Sequence, residues 1–324
     1  MTQPLLDIRN LSVGFVRDGM THLAVQAVSL SVGRGEIVGL VGESGCGKSL
    51  TAKAVMGLIG RKPGQVAGGD IRFEGRNLLE ATDREIQALR GHRIAMIFQD
   101  PMTSLNPVFT IGNQIAEVPR IHEGAPANEA WATAVSALEQ VGIAEASTRA
   151  RQVPFEFSGG MRQRAVIAMG LAGHPDLLLA DEPTTALDVT VQAQILDLLK
   201  QLRDRTGCGI LLITHDLGVV AETCDRVAVM YAGRIVEEAS VKELFARPRH
   251  PYTDGLFRAV PTLERTGRLE PIPGQPPDLD SIPAQGCPFR DRCPLAESQC
   301  ADTMPPLVGC NNHRVACWKR EVGS

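Results

Sequence analysis

The sequence feature that most constrains the fold is a glycine-rich loop at residues 42–49. It reads Gly-Glu-Ser-Gly-Cys-Gly-Lys-Ser and matches the pattern G-x-x-x-x-G-K-[ST] at every position. An apolar run of strand length precedes it at 36–41, and residues 49–58 are rich in helix formers, so the loop is predicted to join a strand to a helix. In such a loop the glycines bring the backbone close to phosphate groups, Lys48 reaches the phosphates and the Ser49 hydroxyl holds Mg²⁺. The pattern therefore predicts an α/β fold with a site for nucleotide phosphates.

Three further apolar runs end in polar residues. Residues 177–180 lead into Asp181 and Glu182, which is typical of a strand buried on both faces of a parallel sheet. Asp181 is suited to the Mg²⁺ shell, and Glu182 to orienting or deprotonating an attacking water. The other two runs end at Gln99 and at His215. A single histidine is more often structural than catalytic, but α/β sheets place ligands at the carboxyl ends of their strands, which favours function here.

A second phosphate site is predicted at residues 157–164, Phe-Ser-Gly-Gly-Met-Arg-Gln-Arg. Ser158 is a good N-cap residue, and a helix is predicted from Met161 to Leu171. Gly159 and Gly160 would therefore present free N–H groups at the positive end of a helix.

In their order along the chain, these motifs resemble the nucleotide-binding domain of the ATP-binding cassette (ABC) ATPases. The resemblance covers roughly residues 5–245 and includes the loop at 185–188, Thr-Ala-Leu-Asp. It implies a P-loop domain over residues 1–245, with a mixed-sheet core, an N-terminal antiparallel β part and a helical subdomain at about 100–157. In the family, that helical subdomain receives the cytoplasmic helix of a permease.

Two helices are predicted from apolar periodicity alone. Within the interval 100–157, one face of a helix would carry Trp131, Val135, Leu138 and Val141, and the helix would stop at Gly142. Residues 191–205 predict a second helix that packs on the sheet. Its apolar face would carry Val191, Ile195, Leu198, Leu199 and Leu202.

The resemblance also implies roles for individual residues. The catalytic group would comprise Glu182, His215 and Gln99, and the magnesium ligands would be Ser49, Gln99 and Asp181. The ATP-binding residues would be Phe15, Gly42, Ser44, Gly45, Gly47, Lys48, Ser49, Leu50, Ser158, Gly159 and Gly160. Phe15 would stack on adenine in place of the commoner tyrosine, and an ordinary buried aromatic is the rival interpretation.

The family also implies a partner, because its signature serves the nucleotide held by a facing domain. Each ATP is then sandwiched between two subunits, and its hydrolysis releases the interface. The form Met161-Arg162-Gln163 is similar to the variant found in peptide and nickel importers. A heterodimer with a second ABC ATPase is therefore expected.

Composition limits the remaining alternatives. With 324 residues the chain is expected to form one large and one small domain, and a formal net charge of −4 gives no indication of nucleic-acid binding. No apolar run approaches the length that spans a bilayer, and the N-terminus lacks a signal-peptide pattern. A peripheral protein at the cytoplasmic face of the inner membrane is expected, attached through its partners.

The sequence changes character after residue 245. Prolines concentrate there, so long helices and central strands are not expected, and residues 248–283 are predicted to form an extended linker that wraps over another part of the protein. The rest of the segment 246–324 is predicted to be small and loop-rich, which calls for a stabilising cross-link.

Clustered cysteines are candidates for that cross-link. Of the eight cysteines, Cys287, Cys293, Cys300, Cys310 and Cys317 fall near the C-terminus. Disulfides are disfavoured in a cytoplasmic protein, so the cluster indicates metal or redox chemistry. The spacing alone leaves tetrahedral zinc and an iron–sulfur cluster both open.

A second resemblance bears on this choice. The run from Cys287 to Pro294, with Cys300 and Cys317, is similar to the C-terminal extension of oligopeptide and dipeptide importer ATPases, as is the segment 250–253, His-Pro-Tyr-Thr. In some members the four matching cysteines hold a [4Fe-4S] cluster, which implies the ligands Cys287, Cys293, Cys300 and Cys317. Cys310 would be surplus. If the metal is zinc, His313 could replace a thiolate.

The leading hypothesis is an ATP-hydrolysing, energy-coupling subunit of an ABC importer for peptides or related small solutes. Its partners would be a second ATPase, two transmembrane permease subunits and, indirectly, an extracytoplasmic solute-binding protein. The rival is a soluble ABC ATPase acting on ribosomes or DNA. Dipeptides, longer peptides, glutathione-like molecules and nickel complexes all remain candidate solutes.

Overall fold

The structure is a computed structural model that describes residues 3–17, 19–59, 63–185, 187–259, 271–310 and 313–319, except the side chain of Cys310. The chain divides into two compact units. The first, called the helical unit, comprises residues 1–6, 32–37 and 80–212. The second, called the loop unit because it contains residues 42–49, comprises residues 7–31, 38–79 and 213–324.

The described strands follow one another in this order: β1 (Leu6–Arg17), β2 (Met20–Val32), β3 (Ile37–Val41), β4 (Gly64–Phe73), β5 (Arg76–Asn77), β6 (Ile94–Ile97), β7 (Leu177–Asp181), β8 (Gly209–Thr214), β9 (Arg226–Tyr231), β10 (Arg234–Ser240), β11 (Val308–Cys310) and β12 (His313–Val315).

The described α-helices are α1 (Lys48–Val55), α2 (Asp83–Leu89), α3 (Pro101–Ser104), α4 (Ile111–His122), α5 (Ala127–Gln140), α6 (Ala146–Arg149), α7 (Gly159–Leu171), α8 (Val189–Thr206), α9 (Leu217–Thr223), α10 (Val241–Ala246), α11 (Pro251–Ala259) and α12 (Ser298–Asp302). No helix within the described ranges is both long and apolar enough to cross a bilayer.

The helical unit contains the predicted parallel strands. Its strand order is β8-β7-β6, and β6 pairs in parallel with β7, with Ile94 opposite Leu177 and Ile97 opposite Ala180. Every residue of β6, β7 and β8 is buried, as expected for strands covered on both faces. The parallel pairing carries Gln99 and Glu182 to the same edge of the sheet.

The interval 100–157 is helical, as predicted, and contains α3 to α6 without a strand. The predicted amphipathic helix is α5, and Gly142 follows it with φ +73°, a backbone conformation suited to glycine. Its buried residues are Ala130, Ala134, Ala137 and Leu138, whereas Trp131 and Val135 are only half-buried. Leu138 and Val141 are buried as predicted, but the buried stripe continues through the three alanines instead of through Trp131 and Val135.

The second predicted helix, α8, begins at Val189 and ends at Thr206. Ile195, Leu196 and Leu199 are its buried residues, while Leu198 and Leu202 are half-buried. The buried face of α8 therefore includes Leu196, which was not predicted, and it does not fully bury Leu198 and Leu202, which were.

The loop unit contains a mixed set of strands in the order β11-β12-β10-β9-β3. β3 pairs in parallel with β9, and β9 pairs antiparallel with β10. A separate four-stranded sheet has the order β2-β1-β4-β5, with β4 antiparallel to β5. These pairings confirm the predicted mixed sheet.

The C-terminal segment departs from the predicted extended linker. Residues 251–259 form α11, which begins at Pro251, and residues 260–270 lie outside the described residues. Proline at the first helical position does not interrupt a helix, since the N–H group that it lacks has no partner there anyway. Further along, Asp280 pairs with Arg17 Nη1 at 2.7 Å and with His22 Nδ1 at 3.2 Å, so this part of the linker does lie over β1 and β2.

Beyond the linker, the chain returns to the sheet instead of remaining loop-rich throughout. β12 pairs antiparallel with β10, with Glu237 opposite Val315. The fully buried Glu237 carboxylate accepts hydrogen bonds from the backbone N–H groups of Arg249 (2.6 Å) and His250 (2.9 Å), and lies 2.7 Å from His313 Nε2. One buried carboxylate therefore joins β12, β10 and the segment before α11, because a buried charge requires such partners.

Candidate functional site

The loop at 42–49 leaves β3, whose five residues are all buried, and leads directly into α1 at Lys48. Two of its glycines are required by contacts with neighbouring backbone. A Cβ atom on Gly42 would lie 2.1 Å from the carbonyl oxygen of Met230, and one on Gly47 would lie 2.8 Å from that of Ala24. Ser44 and Gly45, at the top of the loop, are exposed. The predicted strand, loop and helix are confirmed, and the loop is open to a ligand at its tip.

Lys48 is folded over the loop and almost fully buried. Its Nζ donates to the carbonyl oxygens of Gly42 (2.8 Å) and Glu43 (2.9 Å). Ser49 and Leu50 follow in the first turn of α1 and are half-buried. The ammonium group is therefore held at the loop, within the segment to which phosphates are predicted to bind.

Cys46 of the same loop is buried, and its Sγ lies 3.8 Å from Lys48 Nζ. Burial raises the pKa of the Cys46 thiol, and the nearby lysine only partly offsets that effect. The thiol is thus neutral near pH 7, which fits a small apolar filler rather than a nucleophile.

Phe15 and His215 also belong to the loop unit. Phe15 lies on β1 and is half-buried, and a Cβ atom on Gly64 would be 3.3 Å from its ring. His215 follows β8 and is exposed, and the next residue, Asp216, caps α9 by accepting from the N–H of Gly218 at 2.8 Å. Neither side chain is fully buried, and the roles assigned to them stay predictions.

In the helical unit, the structure brings Gln99 and Glu182 into contact. Gln99 Nε2 donates to Glu182 Oε2 at 3.0 Å, and the Thr185 hydroxyl donates to the same oxygen at 2.8 Å. Glu182 has φ +48°, a left-handed conformation that is uncommon for a residue other than glycine. Asp181, just before it, is buried at the end of β7. Strain of this kind is often found where a side chain must be aimed, and here it accompanies the predicted catalytic carboxylate.

The predicted second phosphate site is the N-terminus of α7, also in the helical unit. The Ser158 hydroxyl caps the helix by accepting from the N–H of Met161 at 3.3 Å. Gly159 is exposed, and a Cβ atom added to it would meet nothing within 4 Å, whereas Gly160 is half-buried. Phe157 anchors the turn in the core. The first turn of α7 is therefore capped but open, as an anion site requires.

A buried contact ties α7 to the segment that follows Glu182. Gln163 Nε2 donates to the carbonyl oxygen of Pro183 at 2.8 Å. The loop at 185–188 continues from there. Ala186 lies outside the described residues, and Asp188 caps α8 by accepting from the N–H of Val191 at 2.9 Å.

The four cysteines chosen from the sequence line one small cavity of the loop unit, together with His250, Phe289 and Trp318. Cys287 is buried, and its N–H donates to the carbonyl oxygen of Cys300 at 2.7 Å. Burial, together with smaller contributions from the other three thiols, raises the pKa of the Cys287 thiol to about 11. Among the described residues, no three cysteine, histidine or acidic side chains stand in an arrangement that could hold a metal ion.

The two remaining candidates near this cavity are placed differently. The Cys310 side chain is outside the described part of the chain, so its predicted surplus role stays a prediction. His313 does not line the cavity and bonds to Glu237 instead. The bond to Glu237 uses Nε2, and Nδ1 of the same ring is buried without a hydrogen-bond partner in the described part of the chain.

Sequence reasoning missed two contacts to the phosphate loop. The N–H of Glu43 donates to the Tyr252 hydroxyl at 2.9 Å, and Arg292 forms an ion pair with the Glu43 carboxylate. Both partners lie more than 200 positions further along the chain, and no local pattern indicates them.

Comparisons with known proteins agree with this geometry. Residues 25–185 match the model of the ABC transporter family, and residues 236–300 match that of the oligopeptide/dipeptide transporter C-terminal region. A dimeric ATP-binding cassette, MJ0796, in a post-hydrolysis state bound to ADP and Pi is similar with a TM-score of 0.67 and 26% identity, over 73% of this chain and 98% of that one.

Whole-chain relatives give a closer match. A probable peptide ABC transporter ATP-binding protein of Sinorhizobium fredii is 53% identical over 97% of this chain and 95% of its own length. The dipeptide transport ATP-binding protein DppD of Bacillus subtilis is 47% identical over 98% of this chain and 96% of its own length. With a cassette fold, an open signature helix and a matching C-terminal region in one polypeptide, this chain belongs to the family of ATP-binding subunits of peptide ABC transporters.

Proposed function

We propose that this chain is the ATP-hydrolysing, energy-coupling subunit of an importer for peptides or related small solutes. The observation that carries the proposal is the presence of two separate phosphate-binding elements, the loop at 42–49 and the open N-terminus of α7. The relatives named for peptide and dipeptide transport support the solute class.

In the proposed site, ATP phosphates bind the loop from Gly42 to Ser49. Lys48 would exchange its bonds to the loop carbonyl groups for bonds to the β- and γ-phosphates. Mg²⁺ would be held by Ser49, Asp181 and Gln99, and the family's usual chemistry for the ion is to neutralise charge on the transferred phosphoryl group. Phe15 would stack on adenine.

Hydrolysis is assigned to Glu182. Its carboxylate accepts hydrogen bonds from Gln99 and Thr185, and these bonds orient it. Neither Gln99 nor Thr185 can itself act as a general base. Glu182 would orient the attacking water and take its proton, while Gln99 and His215 contact the water or the γ-phosphate.

The proposed active state is a pair of ATPase subunits. Ser158, Gly159 and Gly160 would bind the nucleotide held by the partner, because they form the exposed or half-buried N-terminus of a capped helix. The dimeric form of the MJ0796 cassette supports such pairing. A related but different ATPase is the proposed partner.

The proposed membrane contact lies in the helical unit. Large apolar side chains are exposed between residues 100 and 157, namely Met102, Val108, Phe109, Ile121 and Phe155. They would receive the cytoplasmic helix of one of the two permease subunits, and the chain would then lie at the cytoplasmic face of the inner membrane. A solute-binding protein would act on the far side.

For the C-terminal segment 246–324, we infer a domain closed by a metal group. Cys287, Cys293, Cys300 and Cys317 line one cavity, and four thiolates are the donor set of a [4Fe-4S] cluster. The thiols must lose their protons and draw together to bind it, because the described side chains do not yet form a ligand group. Zinc is the alternative, since it accepts the same donors. The cluster would act as a structural cross-link.

The transport role predicts specific partners. When the chain is affinity-purified from membranes extracted with a mild detergent, two multi-span proteins and a second ABC ATPase are expected to co-purify. Their identification by mass spectrometry checks the assignment. Recovery of ribosomes or DNA in their place would favour a soluble ABC ATPase.

The role of Glu182 predicts a separation of binding from turnover. Glu182→Gln keeps an oxygen that can accept from Gln99 and removes the base, so ATP binding should persist and turnover should fall by about 10²–10⁴-fold. The measurement is phosphate release at saturating ATP together with a nucleotide titration. The matched control is Glu139→Gln at an exposed position of α5, and turnover of Glu182→Gln at the control's rate would refute the role.

The metal proposal predicts a coloured protein. After anaerobic purification, the chain should contain about four iron and four sulfide per molecule and show broad visible absorption. Cys287→Ser should lose both, whereas Cys208→Ser should retain them, because Cys208 is buried but is not one of the residues that line the cavity. A colourless protein with bound zinc would establish the alternative, and a protein without either metal would end the proposal.

A further inference from the structure

Arg292, from the cysteine-bearing segment, reaches the phosphate loop. Its Nη1 lies 2.6 Å from Glu43 Oε2, and its Nη2 lies 2.9 Å from Glu43 Oε1. The side chain of Arg292 is only 6% exposed and that of Glu43 26%. This is a two-pronged, mostly buried ion pair, the geometry in which arginine binds a carboxylate most strongly.

Every polar group of Glu43 is held by a partner. The backbone N–H donates to the Tyr252 hydroxyl at 2.9 Å, the carbonyl oxygen accepts from Lys48 Nζ at 2.9 Å, and the carboxylate binds Arg292. Burial raises the pKa of Tyr252, so its hydroxyl stays neutral and its oxygen can accept. Glu43 therefore contacts both the C-terminal segment and Lys48, the lysine predicted to bind phosphate.

Arg292 is itself fixed on the side away from the loop. Its Nε donates to the carbonyl oxygen of Pro273 at 2.9 Å, and the Tyr231 hydroxyl lies 3.3 Å from its Nη1. It ends the short 3₁₀ turn Arg290–Arg292, and Cys293 follows directly. The guanidinium group is thus part of the framework that carries the cysteines.

A continuous apolar cluster joins the same regions. It includes Val41, the last residue of β3, together with Tyr231, Tyr252, Phe289 and Cys287. The ring centroids of Tyr231 and Tyr252 are 4.6 Å apart, and those of Tyr231 and Phe289 are 5.2 Å apart. Because such packing transmits displacement rather than absorbing it, movement of the cysteine-bearing segment would reach the base of the loop.

We propose that Arg292 is a positioning residue for the phosphate loop: by holding Glu43, it pre-organises the loop for nucleotide and makes nucleotide affinity depend on the C-terminal segment. This inference rests on the proposed binding of ATP at residues 42–49. Arg292 does not touch the phosphates. It acts by restricting the loop before the ligand arrives, so that less ordering remains to be done on binding.

Such a role predicts a change in affinity rather than in chemistry. Arg292→Met should weaken nucleotide binding on the order of tenfold, the equivalent of one charge-assisted contact, and leave turnover at saturating ATP unchanged. Glu43→Gln should weaken it to a similar extent. Arg292→Lys keeps the positive charge but cannot bind both carboxylate oxygens in parallel, so it should retain part of the affinity that Arg292→Met loses.

The experiment is a titration of the full-length chain with a fluorescent ATP analogue and Mg²⁺, with the thermal midpoint of each variant measured beside it. The decisive variant is the double substitution of Glu43→Gln with Arg292→Met. Because each substitution removes the same Glu43–Arg292 ion pair, the double variant should bind nucleotide no more weakly than the weaker-binding of the two single variants. Arg258→Met is the matched control, since Arg258 pairs with Asp254 in α11 at 3.4 Å and both side chains are about 40% exposed. It should bind as the wild type does.

Wild-type affinity of Arg292→Met, or losses that simply add in the double variant, would overturn the proposal. If Arg292→Met does not fold, Glu43→Gln decides, because it leaves the cysteine-bearing segment intact: unchanged affinity there would equally overturn it. Failure of the wild type to bind, or binding by Lys48→Ala equal to that of the wild type, would instead refute the nucleotide site itself.

Discussion

The close approach of two backbone segments at Gly42 is the constraint on which the site depends. A side chain there would place a Cβ atom 2.1 Å from the carbonyl oxygen of Met230, so only glycine fits. The approach follows from the parallel pairing of β3 with β9, in which Val41 lies opposite Val229. The sheet therefore sets the path of the phosphate loop as it leaves β3, before any ligand is present.

Further contacts extend that constraint to the rest of the loop. Lys48, at the start of α1, donates hydrogen bonds to the carbonyl oxygens of Gly42 and Glu43. Arg292 of the C-terminal segment binds the Glu43 carboxylate. In the helical unit, Glu182 is fixed comparably by Gln99 and Thr185. In each unit the reactive groups are thus held by hydrogen bonds or ion pairs with neighbouring residues, which is the condition for catalysis by positioning.

Much of the site could be predicted from the sequence because its signals are local. The loop at 42–49, the acids after β7 and the Ser158 cap are each encoded in a few consecutive residues, and the structure places them at the ends of strands or at the start of a helix as expected. The buried apolar runs predicted parallel strands that end at Gln99 and Glu182, but not that these two strands are neighbours in the sheet.

What could not be predicted depends on distant contacts. Arg292 and Glu43 are 249 positions apart, and an arginine beside a cysteine carries no indication of its partner. The return of β12 to the sheet and the short helix α11 were not predicted, because a high proline content argues against long helices and central strands and does not locate short elements. Pro251 stands at the start of its helix, where the residue is tolerated, and β12 is only three residues long.

If ATP turnover at the loop of this chain drives peptide import, uptake of labelled peptide by proteoliposomes that contain the purified importer complex will depend on Lys48. The measurement compares the wild-type complex with one in which Lys48→Ala is introduced in this subunit only. The wild-type complex should accumulate peptide in an ATP-dependent manner, and the variant complex should assemble but not accumulate it. ATP-dependent uptake by the variant complex at the wild-type rate would contradict that dependence on Lys48.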